Sequence, residues 1–543
     1  MARPQLEITD EMIAAAEQLA GLRFTAGERD LMRDGLLEQL EHYARLRSVA
    51  LANDIAPALF FDPLPALAPN AALPNDDRTA THPLPTSSAI AVSAAADLED
   101  LAFAPVTQLA ELIRSHQVSS VTLTELYLRR LKRYDPALRC VVSLTEELAL
   151  AQARRADEEL AAGRYRGPLH GIPWGAKDLL ATRGIRTTWG ATPYQDQVID
   201  ADATVVRRLD RAGAVLLAKL TMGELAWGDV WFGGMTRNPW NLEEGSSGSS
   251  AGPGAATAAG LAGFTIGSET WGSIVSPAAR CGVTGLRPTF GRVSRAGAMA
   301  LSWSMDKIGP MCRSVEDCAL VFQAIYGPDG QDTSVVDRPF NWYPEIDLAK
   351  LRVGYLKSAF DEEREGRAQD EQTLEILRGL GAQLVPIELP DYPVAALSFI
   401  LFVEAAAAFD ELTRSDRDDL LVQQIKDAWP NMLRLSRLIP AVEYIQANRV
   451  RALIMRAMAD LMQTIDLYVA PSFGGDNLLL TNLTGHPAVV LPNGFTAAGT
   501  PTSITFNGRL FEEATLLAVA KLYQDATDFH LRHPAMDFAG AAS

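Results

Sequence analysis

The chain has 543 residues, of which 48% are apolar and 21% charged, and it carries a formal net charge of −18. That length exceeds one small domain and suffices for a large buried core. So negative a surface repels phosphate, which argues against nucleic acid as a partner and against an anionic membrane surface.

In chain order, residues 8–50 ("ITDEMIAAAEQLAGLRF", then "TAGERDLMRDGLLEQLEHYARLRSVA") mix apolar and charged positions at helical spacing, which predicts a helical hairpin over 1–61. Thr9–Asp10 and Thr25 are N-cap candidates, and Glu28, three residues after Thr25, completes a capping box. The apolar set Ile8, Ile13, Leu19, Leu31, Leu37 and Leu40 needs cover, from this chain or a neighbour. The opening "MARPQLEITDEM" lacks the apolar run of a signal peptide. Between 62 and 96 the composition shifts to Pro, Ala, Asn, Ser and Thr and periodicity is lost, which reads as a linker.

A main domain over 97–543 then opens with two helical patterns, "VTQLAELIRSHQVSSVTLTELYLRRLKRYD" and "TEELALAQARRADEELAAG". Strand candidates are "CVVSL", "GIPWGAKDLL", "AVLLAKL", "FTIGSE", "LRVGYL", "AQLVPIEL", "DLYVAPS" and "AVVLP", with helical patterns between them. The alternation predicts an α/β fold, a central mixed sheet covered by helices on both faces. Two apolar runs, 251–267 and 394–403, are too short or too Gly/Pro-rich to span a bilayer and read as core. Cys140, Cys281, Cys312 and Cys318 have no metal-ligand spacing, so they read as buried reduced thiols of a cytoplasmic protein, and no metal or cofactor is expected.

Three short segments carry chemistry. Lys177 ends an apolar strand-like run in "GPLHGIPWGAKDLL"; residues 243–260, "EEGSSGSSAGPGAATAAG", are rich in Gly and Ser; "SETWGSIVSPAARCG" sets Ser273 among glycines with no histidine nearby. A serine hydroxyl is a weak nucleophile without a base. A buried lysine loses its proton more easily and, once neutral, can serve as that base, with a serine between them as relay. Simpler readings compete. "GSSAG" formally places Ser250 in a nucleophile elbow, which needs a strand before it, and "NPWNLEE" does not read as one. "SMDK" matches a four-residue SxxK pattern with no partner motif, and His170 reads as a packing residue. Lys177 alone would be an ordinary surface lysine; its combination with the other two segments reverses that reading.

Together the three segments resemble the amidase signature family of serine hydrolases, over roughly residues 100–535. The family's "GxPxxxKD", "GGSSGG" and "DTGGSIRxPA" patterns correspond to residues 171–178, 247–252 and 269–278. The resemblance implies Ser273 as nucleophile, Ser249 as bridging serine with a cis peptide bond, Lys177 as base and Ser250 as a supporting serine. It implies the backbone N–H groups of Thr270, Trp271, Gly272 and Ser273 as oxyanion hole. Four departures stand out: Ser247 and Ala251 replace loop glycines, Trp271 replaces a glycine, and Val275 replaces an arginine that would pair with Glu269. Glu269 therefore needs another partner. The hairpin is similar to the small helical C subunit of the tRNA-dependent amidotransferases, which wraps its amidase partner like a belt.

The expected activity is cleavage of an amide, anilide or carbamate of small-molecule size, with a pocket built from Trp271, residues 225–235 and segments near 398–410 and 471–486. A glutaminase subunit of an amidotransferase and a catalytically silent interaction protein are the alternatives, and a homodimer is left open.

Overall fold

The computed structural model describes residues 7–51, 59 and 98–538, so the stretch read as a linker, 62–96, lies outside the described residues. Its centre is an eleven-stranded mixed sheet. In chain order the strands are β1 (Val141–Leu144), β2 (Pro173–Lys177), β3 (Val215–Leu220), β4 (Phe264–Glu269), β5 (Thr284–Arg287), β6 (Lys307–Cys312), β7 (Arg352–Leu356), β8 (Gln383–Ile387), β9 (Leu467–Pro471), β10 (Ala488–Phe495) and β11 (Pro501–Gly508). Their spatial order is β1-β3-β2-β4-β6-β5-β10-β11-β9-β7-β8. β2 runs parallel to both β3 and β4, and β7 parallel to both β8 and β9, while the centre of the sheet is antiparallel.

Helices flank this sheet, so strands such as β3 and β9 are buried along their whole length. That double burial is why they read as continuous apolar runs rather than alternating ones. The two apolar runs are core, as expected: 251–267 forms a wholly buried helix, Ala251–Ala258, and then enters β4, and 394–403 enters the helix Phe399–Ala408. Each of the eight strand candidates holds a strand. β5, β6 and β11 were not anticipated, because "TGLR", "KIGPMC" and "PTSITFNG" carry Gly, Pro and polar residues that do not favour strands locally. Pairing supplies what propensity lacks: β6 sits between β4 and β5, and β5 also pairs with β10.

Ahead of this domain lie α1 (Asp10–Ala20) and α2 (Ala26–Arg47). Thr9 caps α1 by accepting from Met12 N, and Thr25 and Glu28 form the capping box of α2. Gly21 ends α1 at φ +68°, the left-handed turn that lets α2 fold back. The hairpin docks on its own chain. Ile8, Ile13, Phe24 and Met32 pack with Leu435, and Tyr43 meets Phe399 edge to face at 5.9 Å. Arg434 ion-pairs with Glu28 at 2.6 Å, Lys426 with Asp34 at 2.8 Å, and Arg47 with Glu443.

The expected apolar set needs correction at two positions. Leu19 is 93% exposed and Leu40 39% exposed, while Leu31 and Leu37 are half-buried. The buried stripe of α2 is Met32, Gln39, Tyr43 and Leu46, a helical face chosen by the helix Trp429–Ser436 beneath it. Backbone amides in the middle of α2 are expected to exchange slowly with deuterated solvent, as a docked helix does. Rapid, coil-like exchange throughout 26–47 would show that the hairpin is not held.

Candidate functional site

β2 delivers Lys177 to its C-terminal end, flanked by β3 and β4, where the side chain is completely buried. Lys177 Nζ lies 2.8 Å from Ser249 Oγ, 3.0 Å from Ser250 Oγ and 2.9 Å from Ser268 Oγ. Ser249 and Ser250 stand just ahead of the helix Ala251–Ala258, and the Gly248–Ser249 peptide bond is cis. Ser268 belongs to β4, whose register brings it beside the end of β2. Burial pushes the Lys177 amine down to about 7, while the more distant carboxylates of Asp306 and Glu269 pull it back up. A neutral amine has one lone pair and two N–H groups, so among three hydroxyls it can accept from one and donate to two.

Asp178, next in sequence, does not reach this cluster. It forms a wholly buried ion pair with Lys219 at 3.0 Å, and Thr188 N and Oγ1 donate to it. Successive strand residues face opposite ways, so the two charges are kept apart.

Ser273 sits in the turn between β4 and the helix Val275–Cys281, and its carbonyl accepts from Ser250 N at 3.1 Å. The hydroxyls of Ser249 and Ser273 are not hydrogen-bonded to each other in this state. Catalytic hydrogen bonds often tighten only when substrate is bound. Gly272 adopts φ +86°, and a Cβ there would come within 3.0 Å of Leu478 Cδ2, so this position calls for glycine. The N–H groups of Thr270, Trp271, Gly272 and Ser273 donate to no acceptor among the described residues.

Glu269, which ends β4, braces the turn from below. Its carboxylate accepts from Ile274 N at 2.8 Å and Val275 N at 2.9 Å, from Asn482 Nδ2 at 2.8 Å, and from Arg287 Nη1 at 2.8 Å in a fully buried ion pair. Burial raises this carboxyl, but Arg287 and the other donors outweigh it and hold it at about 2. Its stabilising effect is therefore complete above the ordinary value of 4.5 and is lost as pH falls through about 2. Arg287 is the partner that Val275 does not supply; it comes from β5, a strand not legible in sequence. Replacing Arg287 by leucine strands a buried charge and is expected to cost about 3–5 kcal/mol of stability. The urea midpoint reads this, and an unchanged midpoint would contradict the bracing role.

Ser273, Thr270, Trp271, Asp229, Phe402 and Trp429 are among the residues lining a cleft of about 440 Å³. Of the expected pocket segments, 225–235 and 398–410 contribute to it, 471–486 does not, and Trp429 was unforeseen. Its signal is weak, since it lies far along the chain in an ordinary helical pattern.

The residues before the Ser-rich loop do form a short strand, Asn241–Gly245, paired with Arg237–Asn238, contrary to expectation. A one-turn ribbon held by local Asn contacts leaves little trace in sequence. Ser250 nevertheless bonds Lys177 and Ser268 rather than a histidine. His170 is buried with Nε2 2.8 Å from Ala156 O, and Ser304 and Lys307 bond Glu404 and Met305 O respectively. All four cysteines are buried and free. Among the described residues no cluster of His, Cys, Asp and Glu could hold a metal, and no helix is long and apolar enough to cross a membrane.

A family profile described as Amidase matches residues 122–477. The chain is 36% identical to the A-type subunit of glutamyl-tRNA(Gln) amidotransferase from Roseiflexus sp. (strain RS-1), covering 78% of this chain and 96% of that one. It is also 36% identical to the corresponding protein of Methylococcus capsulatus (strain ATCC 33009 / NCIMB 11132 / Bath), covering 79% and 98%. The solved structure of native peptide amidase from Stenotrophomonas maltophilia superposes with a TM-score of 0.72 at 31% identity, over 81% of this chain and 100% of that one. The mixed sheet flanked by helices is shared with such structures, and the profile spans the segments that hold Lys177, Ser249 and Ser273: the chain belongs to the amidase signature family of C–N-bond hydrolases.

Proposed function

We propose that this protein is a serine amidohydrolase acting on a small-molecule amide, anilide or carbamate through an acyl-enzyme on Ser273. The observation that carries the reading is the buried Lys177 amine, held by Ser249 and Ser250 with its proton affinity lowered to about 7. In the proposed reaction neutral Lys177 takes a proton from Ser249, and Ser249 takes one from Ser273. Ser273 Oγ bonds to the carbonyl carbon, and the carbonyl oxygen gains the negative charge. The N–H groups of Thr270, Trp271, Gly272 and Ser273 receive that charge as an oxyanion hole. The C–N bond then breaks, and the leaving nitrogen takes the relayed proton. Water attacks the resulting ester by the same relay, releasing the carboxylic acid and restoring Ser273. No step calls on a metal or cofactor. Ser250 has a supporting role through its bonds to Lys177 and Ser268 O.

The same proposal divides the chain into a hairpin at 1–61, a linker at 62–96 and a catalytic domain at 97–543. The four unpaired thiols support a reducing, cytoplasmic setting. A fluorophosphonate probe tests the central claim: it should label Ser273 covalently in the purified chain, and a panel of amides, anilides, esters and carbamates should include a substrate. Absence of labelling at Ser273 would overturn it and favour a silent interaction protein.

A second reading, the glutaminase component of an amidotransferase, is favoured by the names of the 36% identical relatives. Co-purification of a second large subunit, with glutamine hydrolysis, would select it.

A further inference from the structure

The cleft beside Ser273 has an uneven charge. Among the described residues that line it, Asp229 is the one with an ionisable side chain, and none is Lys, Arg or His. The adjoining cavity contains two basic residues, Arg295 and Lys307. The Arg295 guanidinium is taken up by Asp332 at 2.9 Å and by Trp303 O at 2.6 Å, and the buried Lys307 amine donates to Met305 O, its proton affinity lowered by burial. Arg280, whose charge helps pull the Asp229 carboxyl down, bonds Glu244 at 2.8 Å and does not line the cleft.

Asp229 is held firmly but not neutralised. One carboxylate oxygen, Oδ2, accepts from Ser247 N at 2.8 Å, and a side chain at Gly245 would collide with it. Burial pushes its carboxyl up from the ordinary value, and Ser247 N and its own backbone N–H pull it back. The same cleft has an aromatic wall. The rings of Trp227 and Trp429 meet at 84° with centroids 5.0 Å apart, and Phe402 lies 5.9 Å from Trp227 and 6.2 Å from Trp429. Ring faces attract organic cations and pack against aryl groups, and they offer nothing to a carboxylate. An anion entering here would lose its hydration, meet Asp229 and find no counter-charge.

We propose that Asp229 is the charge-selecting residue of this cleft, so that amides whose acyl part carries an ammonium or guanidinium beside an aryl or alkyl body are preferred, and amides whose acyl part carries a carboxylate are rejected. This rests on the acyl-enzyme reading for the identity of the site.

The test uses three matched compounds: phenylacetamide bearing para-aminomethyl, para-methyl or para-carboxylate. Binding is measured calorimetrically with full-length Ser273→Ala, and turnover with the wild-type chain. The expected order of affinity, and of kcat/KM, is cation over neutral over anion, with the cation-to-neutral ratio compressed as salt is raised from low to high concentration. Asp229→Asn keeps an oxygen to accept from Ser247 N and removes the charge. It is expected to lower the cation-to-neutral binding ratio roughly tenfold, on the scale of one well-placed charge contact. A merely structural role would weaken all three compounds together and leave the ratio intact. The proposal falls if the carboxylate compound binds as well as the neutral one, or if Asp229→Asn leaves the ratio unchanged. Retained binding order without hydrolysis or fluorophosphonate labelling would instead reject the acyl-enzyme reading and leave the charge selection standing.

Discussion

Ser273→Ala is expected to reduce kcat by on the order of 10⁶, because a nucleophile that works as part of a unit takes the whole unit with it. The fold should not change. The hydroxyl of Ser273 makes no hydrogen bond among the described residues, and the turn is held by its own backbone: Ser250 N donates to Ser273 O, and Ile274 N and Val275 N donate to Glu269. The melting temperature of the variant should therefore match that of the wild type. Near-normal turnover at an unchanged melting temperature would remove Ser273 from the mechanism.

The second large effect concerns Lys177. Its amine is lowered from an ordinary 10.5 to about 7, with burial as the dominant cause. The base is the unprotonated amine, so kcat/KM should rise about tenfold per pH unit below that value and level off above it. Lys177→Ala is expected to cost on the order of 10⁴–10⁶ near neutral pH, with partial recovery at high pH where hydroxide can substitute. Lys177→Arg should not rescue, since a guanidinium stays protonated. Stability should follow the same group with a definite sign. Between about 7 and 10.5 the unfolded chain holds a proton on this lysine that the folded chain does not, so stability rises with pH across that window. A flat activity profile from acid to alkaline pH, or an active arginine variant, would assign the proton transfer to another group.

What the sequence by itself determined is what local chemistry encodes. The caps Thr9, Thr25 and Glu28 are written in adjacent residues, because a cap reaches only two or three positions. β2, β3 and β9 are continuous apolar runs because both of their faces are covered. Ser273 drew attention as a serine among glycines, Lys177 through its combination with the two Ser- and Gly-rich segments, and Ser249 through the resemblance of its loop to the family's pattern.

What only the tertiary structure decided depends on groups far apart in the chain. Ser268 joins Lys177 across 91 residues, and Arg287 reaches Glu269 across 18 from a strand that has no strand-like composition. Trp429 enters the cleft, and Leu435 beside it meets the hairpin, because strand order and helix packing bring them there. The exposure of Leu19 and Leu40 follows the same logic: helical periodicity fixes that a helix has an apolar face, but the surface it meets selects which residues are covered. Pairing register and long-range packing are decided by the free energy of the whole core, and no window of a few residues carries that information.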